Sequence, residues 1–141
     1  MLSQTVEYAL RAVVYLAKRT GVPSRTSDIA LQTKVPQAYL SKVLQSLRKK
    51  GIVESHRGGG GGVSLSADPE ELTVWDVVQA VDPMCRITTC PLGLKEHGEN
   101  LCPLHKRMDA AIGVVEEAFR ESTVAEILAD PNKSIPLNDK L

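Results

Sequence analysis

Three cysteines and two histidines, Cys85, Cys90, His97, Cys102 and His105, fall within residues 85–105. Thiolate and imidazole are the donors that suit soft and borderline metals, including zinc and iron–sulfur clusters. An odd cysteine count does not fit a disulfide scaffold. The apolar N-terminal run is broken by Glu7 and Arg11 and lacks a basic leader, so it does not read as a signal peptide. No stretch reaches the ~18 apolar residues of a membrane span. The expectation is a cytoplasmic protein with reduced thiols free for metal or redox chemistry. Inert or merely redox-active cysteines satisfy the same spacing. Cys102 and His105 could also pair as nucleophile and base, but no orienting third group, catalytic elbow or cofactor loop accompanies them. No enzyme is expected.

The second chemistry-bearing set is basic. The chain has 141 residues, with 17 Lys/Arg against 17 Asp/Glu. That zero balance hides an asymmetry: residues 1–57 carry +7 and residues 58–141 carry −7. A basic first part joined to an acidic second part points to a polyanionic partner for one end only.

The elements that must position these residues follow from period and caps. Ser3 caps a first helix to about Arg19, with Val6, Leu10, Val13, Val14 and Ala17 on one stripe. Gly21 and Pro23 end it, and a short second helix follows a cap at Thr26 or Ser27. Pro36 suits the first position of a third helix. That helix has an apolar stripe of Tyr39, Leu40, Val43, Leu44 and Leu47, and it stops at Gly51. The period then changes. Ile52-Val53 and the alternating Val63–Ser66 read as two strands around His56, Arg57 and five glycines. A helix–turn–helix followed by such a hairpin is a winged helix, so the expected fold class is mainly α with a two-stranded wing.

Beyond it, Thr73 caps a fourth helix over Val74, Val77, Val78 and Val81, with Trp75 read as buried packing. A long helix over about 103–122 presents Leu104, Met108, Ala111, Ile112, Val115 and Phe119 on one face. Thr123 and Glu126 form a capping box for a last short helix. The divisions expected are a DNA-binding unit over 1–82, a cysteine-containing sensor loop over 83–102, helices over 103–130 and a tail over 131–141.

A helix entering a major groove needs polar outer side chains and an apolar inner face. The third helix offers Gln37 and Ala38 in its first turn, then Ser41 and Lys42. Gln and Lys reach base edges, and Ser serves bases or phosphates. Arg25, Arg48, Lys49 and Lys50 suit backbone charge. Arg57, followed by Gly58 and Gly59 at the wing tip, suits a narrow minor groove. An amphipathic helix with solvated basic residues would share the pattern but not the following hairpin. The Gly58–Gly62 run is no phosphate loop, because a strand rather than a helix follows it and no Lys-Ser/Thr is present. His56 reads as a wing surface residue.

The segment DIALQTKVPQAYLSKVLQSLRKKGIVESHRGGGGGVSLS, preceded by MLSQTVEYALRAVVYLA and followed by ELTVWDVVQAVDP, resembles the Rrf2 family of bacterial winged-helix regulators. The resemblance implies a homodimer built on the long C-terminal helix and binding operator DNA. By motif its DNA-reading positions fall on Pro36, Ala38, Ser41 and Arg57. The wing Arg-Gly matches the family; the helix residues differ from it, so no operator sequence carries over. Cluster-binding members carry three spaced cysteines, followed in some by a histidine. Here Cys102-Pro-Leu-His105 keeps the last element, Cys90 matches the first cysteine, and the middle one is missing. Two ligand sets remain: Cys90, His97, Cys102 and His105, or Cys85, Cys90, Cys102 and His105. Either could hold an iron–sulfur cluster, two-iron–two-sulfur foremost, with zinc or no cofactor as alternatives. The function this implies is a dimeric regulator, a repressor in the first instance, sensing redox, nitric oxide or iron–sulfur status. The alternative is a cluster-free regulator answering to a partner protein or to thiol oxidation.

Overall fold

The computed structural model describes residues 2–97, 100–131 and 136–137. Helix α1 (Gln4–Ala17) starts where the sequence predicts, with the Ser3 hydroxyl accepting from the Val6 N–H at 3.3 Å. Ala9, Ala12 and Leu16 are buried as well as most of the expected stripe, so α1 is wrapped on more than one face and forms the centre of the fold.

Helix α2 (Thr26–Thr33) is capped by Arg25, not by Thr26 or Ser27. The reason is tertiary. Ser24 is held in an antiparallel bridge to Val63, with reciprocal backbone hydrogen bonds of 2.9 and 2.8 Å, and the chain enters the helix directly after it. Lys34 closes α2 in the left-handed conformation (φ 56°), and the Val35 N–H reaches back to the Ala30 carbonyl. Pro36 stands one position outside α3 (Gln37–Lys49), as its N-cap, rather than at the first helical residue. Leu40, Val43, Leu44 and Leu47 are buried as predicted, but Tyr39 is not. Its hydroxyl is 2.7 Å from Thr5 Oγ1 and its ring meets Tyr8 edge-on, so a polar tip keeps it at the surface.

Strands β1 (Val53–His56) and β2 (Gly62–Leu65) pair antiparallel, with Val53 opposite Leu65 and His56 opposite Gly62. Gly62 is obligatory. Its φ is +146°, and a Cβ there would lie 2.4 Å from the Ser24 carbonyl oxygen. Ile52 is buried ahead of the strand.

Helices α4 (Val74–Val81) and α6 (Val124–Ala129) both begin with complete capping boxes, Thr73/Asp76 and Thr123/Glu126. The two starts are stitched together, the Val74 N–H donating to Ser122 and the Val124 N–H to Leu72, each at 2.9 Å. Trp75 is buried. The main core joins α1, α2, α3, both strands and α4; a second cluster of Val6, Val74 and Val78 receives Phe119 and Ile127.

Helix α5 (Pro103–Arg120) is unlike the others: none of its residues is buried. Its predicted stripe divides. Ile112, Val115 and Phe119, towards its C-terminal end, are half-buried, whereas Leu104, Met108 and Ala111 are exposed, as is Val114 off the stripe. The expected tail over 131–141 lies mostly outside the described residues. Among the described residues no helix is long and apolar enough to cross a membrane.

Candidate functional site

With Leu40, Val43, Leu44 and Leu47 committed to the core, the opposite face of α3 leaves Gln37, Ala38, Ser41, Lys42, Gln45, Arg48 and Lys49 exposed. Ser41 donates its hydroxyl proton to the Gln37 carbonyl at 3.1 Å, leaving its oxygen as an acceptor. Arg48 reaches across to the wing, where Nη1 donates to Ser55 Oγ on β1 at 2.9 Å. That contact joins α3 to the hairpin. Thr26, Ser41, Gln45, Arg48 and Ser55 line one cleft between the start of α2, α3 and β1, and among the described residues no acidic side chain lines it.

The wing extends the same surface. The Gly61 N–H closes a turn on the Gly58 carbonyl at 2.9 Å, and Arg57, Gly58 and Gly59 are exposed around it. His56 Nε2 lies 2.8 Å from Ser64 Oγ and 3.6 Å from the Glu54 carboxylate, so it braces the hairpin. The Ser24–Val63 bridge brings exposed Arg25 to the base of the wing. Lys50, grouped with these basic residues by sequence, lines a different cavity with Asp68, Glu71 and Asp76. The spacing of α3 gave no sign of Ser55 or Thr26, since they join the cleft only through the strand pairing and the Ser24 bridge.

The cysteine segment forms two separate pairs. Cys90 is buried, its sulfur 3.9 Å from Nδ1 of His97, which sits in a single 3-10 turn (Lys95–His97). Cys102 is the N-cap of α5, its sulfur 3.4 Å from Nδ1 of His105 one turn on. Cys85 is exposed. Among the described residues no three His, Cys, Asp or Glu side chains gather in one place suited to a metal ion. Each pair nonetheless presents one thiol and one imidazole, a donor set that suits zinc or one iron of a two-iron cluster.

Sequence reasoning passed over the strongest polar contact in this region. Arg86 makes two hydrogen bonds to the Asp109 carboxylate, Nε at 2.8 Å and Nη2 at 2.7 Å, and the Ile87 N–H adds a third at 2.8 Å. The Arg86 hydrogen bonds, then that of Ile87, lower the Asp109 carboxyl from 3.8 to about 2, and the Asp109 carboxylate raises the Arg86 guanidinium in turn. A charge pair 23 residues apart leaves no periodic trace.

The family described as "Rrf2: Iron-dependent Transcriptional regulator" matches residues 2–130. The HTH-type transcriptional regulator NsrR of Bacillus subtilis (strain 168) is 33% identical over 102 residues, covering 72% of this chain and 67% of that protein. The solved structure of T. potens IscR superposes with a TM-score of 0.78 at 25% identity, over 94% of this chain and 88% of the other. CymR, the global cysteine regulator of B. subtilis, matches in fold with a TM-score of 0.75 at 23% identity, over 94% and 98% of the two chains.

Proposed function

The chain belongs to the Rrf2 family of transcriptional regulators, and from that premise we propose that it binds operator DNA as a homodimer, through α3 and the β1–β2 wing, and represses transcription in response to a signal received at its Cys/His segment. The observation that carries the DNA reading is the juxtaposition of the exposed polar face of α3 with the Arg57 wing, locked together by Arg48 and Ser55. In the bound state Gln37, Ala38, Ser41 and Lys42 face base edges, with Pro36 at the entry of the helix. Arg57, with Gly58 and Gly59 letting the backbone approach, enters the neighbouring minor groove. Arg25 and Arg48 contact phosphate.

Dimerisation through α5 is supported by its exposed apolar side. Leu104, Met108 and Val114 are exposed on α5, and Leu92 and Leu94 are exposed in the segment ahead of it. A second copy is the occupant that fits, since a two-fold axis would set two recognition helices on half-sites ~34 Å apart.

Cys90, His97, Cys102 and His105 are the residues that would hold a cofactor, two donors in each pair. Cys85, exposed and nearby in sequence, is the alternative to His97. When bound, an iron–sulfur cluster supplies a reversible one-electron couple at this position. The protein's part is to let the separation of the two pairs bias the seating of the α3 helices. A difference of about 1.4 kcal/mol in DNA binding between two states shifts affinity tenfold. The second reading, a cluster-free regulator answering to thiol oxidation or to a partner protein, is favoured by the same separation of the two pairs and by the exposure of Cys85.

Fluorescence anisotropy on random-sequence duplex DNA tests the DNA reading. Binding should weaken steeply with salt, and Arg48→Ala should reduce the slope of log K against log salt by about 1. Arg57→Ala should weaken binding while the thermal melt is preserved. No binding by the wild-type chain in either oxidation state would overturn the reading. Iron, sulfide and zinc content after anaerobic purification decides the cofactor.

A further inference from the structure

The Arg86 guanidinium does more than pair with Asp109. It packs against α5 at Gly113, where a Cβ would sit 3.1 Å from the guanidinium carbon and from Nη1. Its Nη1 is 3.9 Å from Glu116, which accepts from Arg120 at 2.8 Å, and the Arg120 guanidinium in turn covers the Trp75 ring of α4 at 5.2 Å. Asp109, Gly113, Glu116 and Arg120 are spaced four, three and four residues apart, so one side of α5 forms a continuous seat.

The position of this seat relative to the cysteines is what matters. Asp109 follows His105 by four residues, one helical turn along the same side of α5. Arg86 precedes Cys90 by four residues. Among the described residues, the hydrogen bonds joining segment 85–97 to α5 all converge on the Asp109 carboxylate. The chain carrying Cys90 is therefore moored beside the end of α5 that carries Cys102 and His105.

We infer that Arg86 and Asp109 are the positioning pair of the Cys/His segment: the salt bridge moors the Cys90–His97 arm against the Cys102–His105 arm, keeps Cys90 covered and sets the separation of the two pairs. That the arms jointly bind a metal or cluster rests on the proposed function; the mooring itself is a property of the ligand-free chain.

The test uses the full-length, ligand-free protein with two variants. Asp109→Asn keeps the shape and loses the charge. Arg86→Lys keeps the charge and loses the two-pronged geometry. A small aromatic disulfide reagent labels the thiols, and peptide mass spectrometry reads each cysteine. In the wild type Cys85 labels first and Cys90 lags. In Asp109→Asn, Cys90 should label at least tenfold faster, with an intermediate rate in Arg86→Lys and a cooperative melt in both. Cys90 labelling at the wild-type rate in both variants would overturn the proposal. Cobalt(II), added as a probe, reports the joint site through its thiolate charge-transfer band. Its affinity should fall at least tenfold in Asp109→Asn. Failure of cobalt to bind the wild type would overturn the ligand-site reading, leaving the labelling rates to decide the mooring alone.

Discussion

Replacing Val114 by lysine should dissociate the proposed dimer without unfolding the protomer. Val114 is 67% exposed, Leu104 64% and Met108 47%, on a helix with no buried residue. Complete burial of such a side chain contributes about 2 kcal/mol, so covering the exposed two-thirds of Val114 contributes about 1.3 kcal/mol per protomer. In a two-fold interface the loss counts twice, about 2.6 kcal/mol, and burying an unpaired ammonium adds to it. The dimer dissociation constant should therefore rise by roughly 100-fold or more. The protomer should melt within about 0.5 kcal/mol of the wild type, since the substituted side chain faces outward. Sedimentation velocity across a nanomolar-to-micromolar series reads the first quantity and a thermal melt the second. A dissociation constant within threefold of the wild type would show that α5 is not the interface.

Other outcomes follow from the same structure. Gly62→Ala should cost about 1–3 kcal/mol, because its Cβ strikes the Ser24 carbonyl and breaks the bridge that holds the wing, whereas Gly60→Ala, with open space around it, should leave the melt unchanged. Thr73→Ala removes the cap that accepts from the Asp76 N–H, and should lower stability by about 1 kcal/mol in a denaturant titration. Asp109 titrates near 2 when folded, below its ordinary 3.8, so the folded chain binds the fewer protons. The contribution of its salt bridge is then complete above about pH 4 and fades as pH falls towards 2. The stability gap between the wild type and Asp109→Asn should be constant from pH 7 to 5 and close across that acid window; a constant gap down to pH 2 would refute the assignment.

The winged helix was legible because each part has a local signal. The third helix has an apolar stripe, Gly51 ends it, and the glycine run lies between two strand-like segments, as the turn of a hairpin does. Both capping boxes, Thr73/Asp76 and Thr123/Glu126, are likewise local, each contained in a four-residue window. What escaped reading depends on distant contacts. Tyr39 shares the spacing of the core residues but stays at the surface because Thr5, on another helix, holds its hydroxyl. The cap of α2 moved to Arg25 because Ser24 is pinned by the wing. In α5 the apolar stripe runs further along the helix than one protomer covers, so periodicity alone could not say which of its residues would be covered. The five cysteines and histidines were visible as a cluster in sequence, but their division into Cys90–His97 and Cys102–His105, and the mooring by Arg86, are tertiary facts.

Affinity selection from a pool of random duplexes, carried out with the purified chain under anaerobic conditions, tests the central claim most directly. A two-fold dimer reading DNA through α3 and its wing should enrich an inverted repeat with half-sites about one helical turn, ~34 Å, apart. The enrichment should disappear with Arg57→Ala. Recovery of no motif, or of a single unrepeated site untouched by the loss of Arg57, would contradict it.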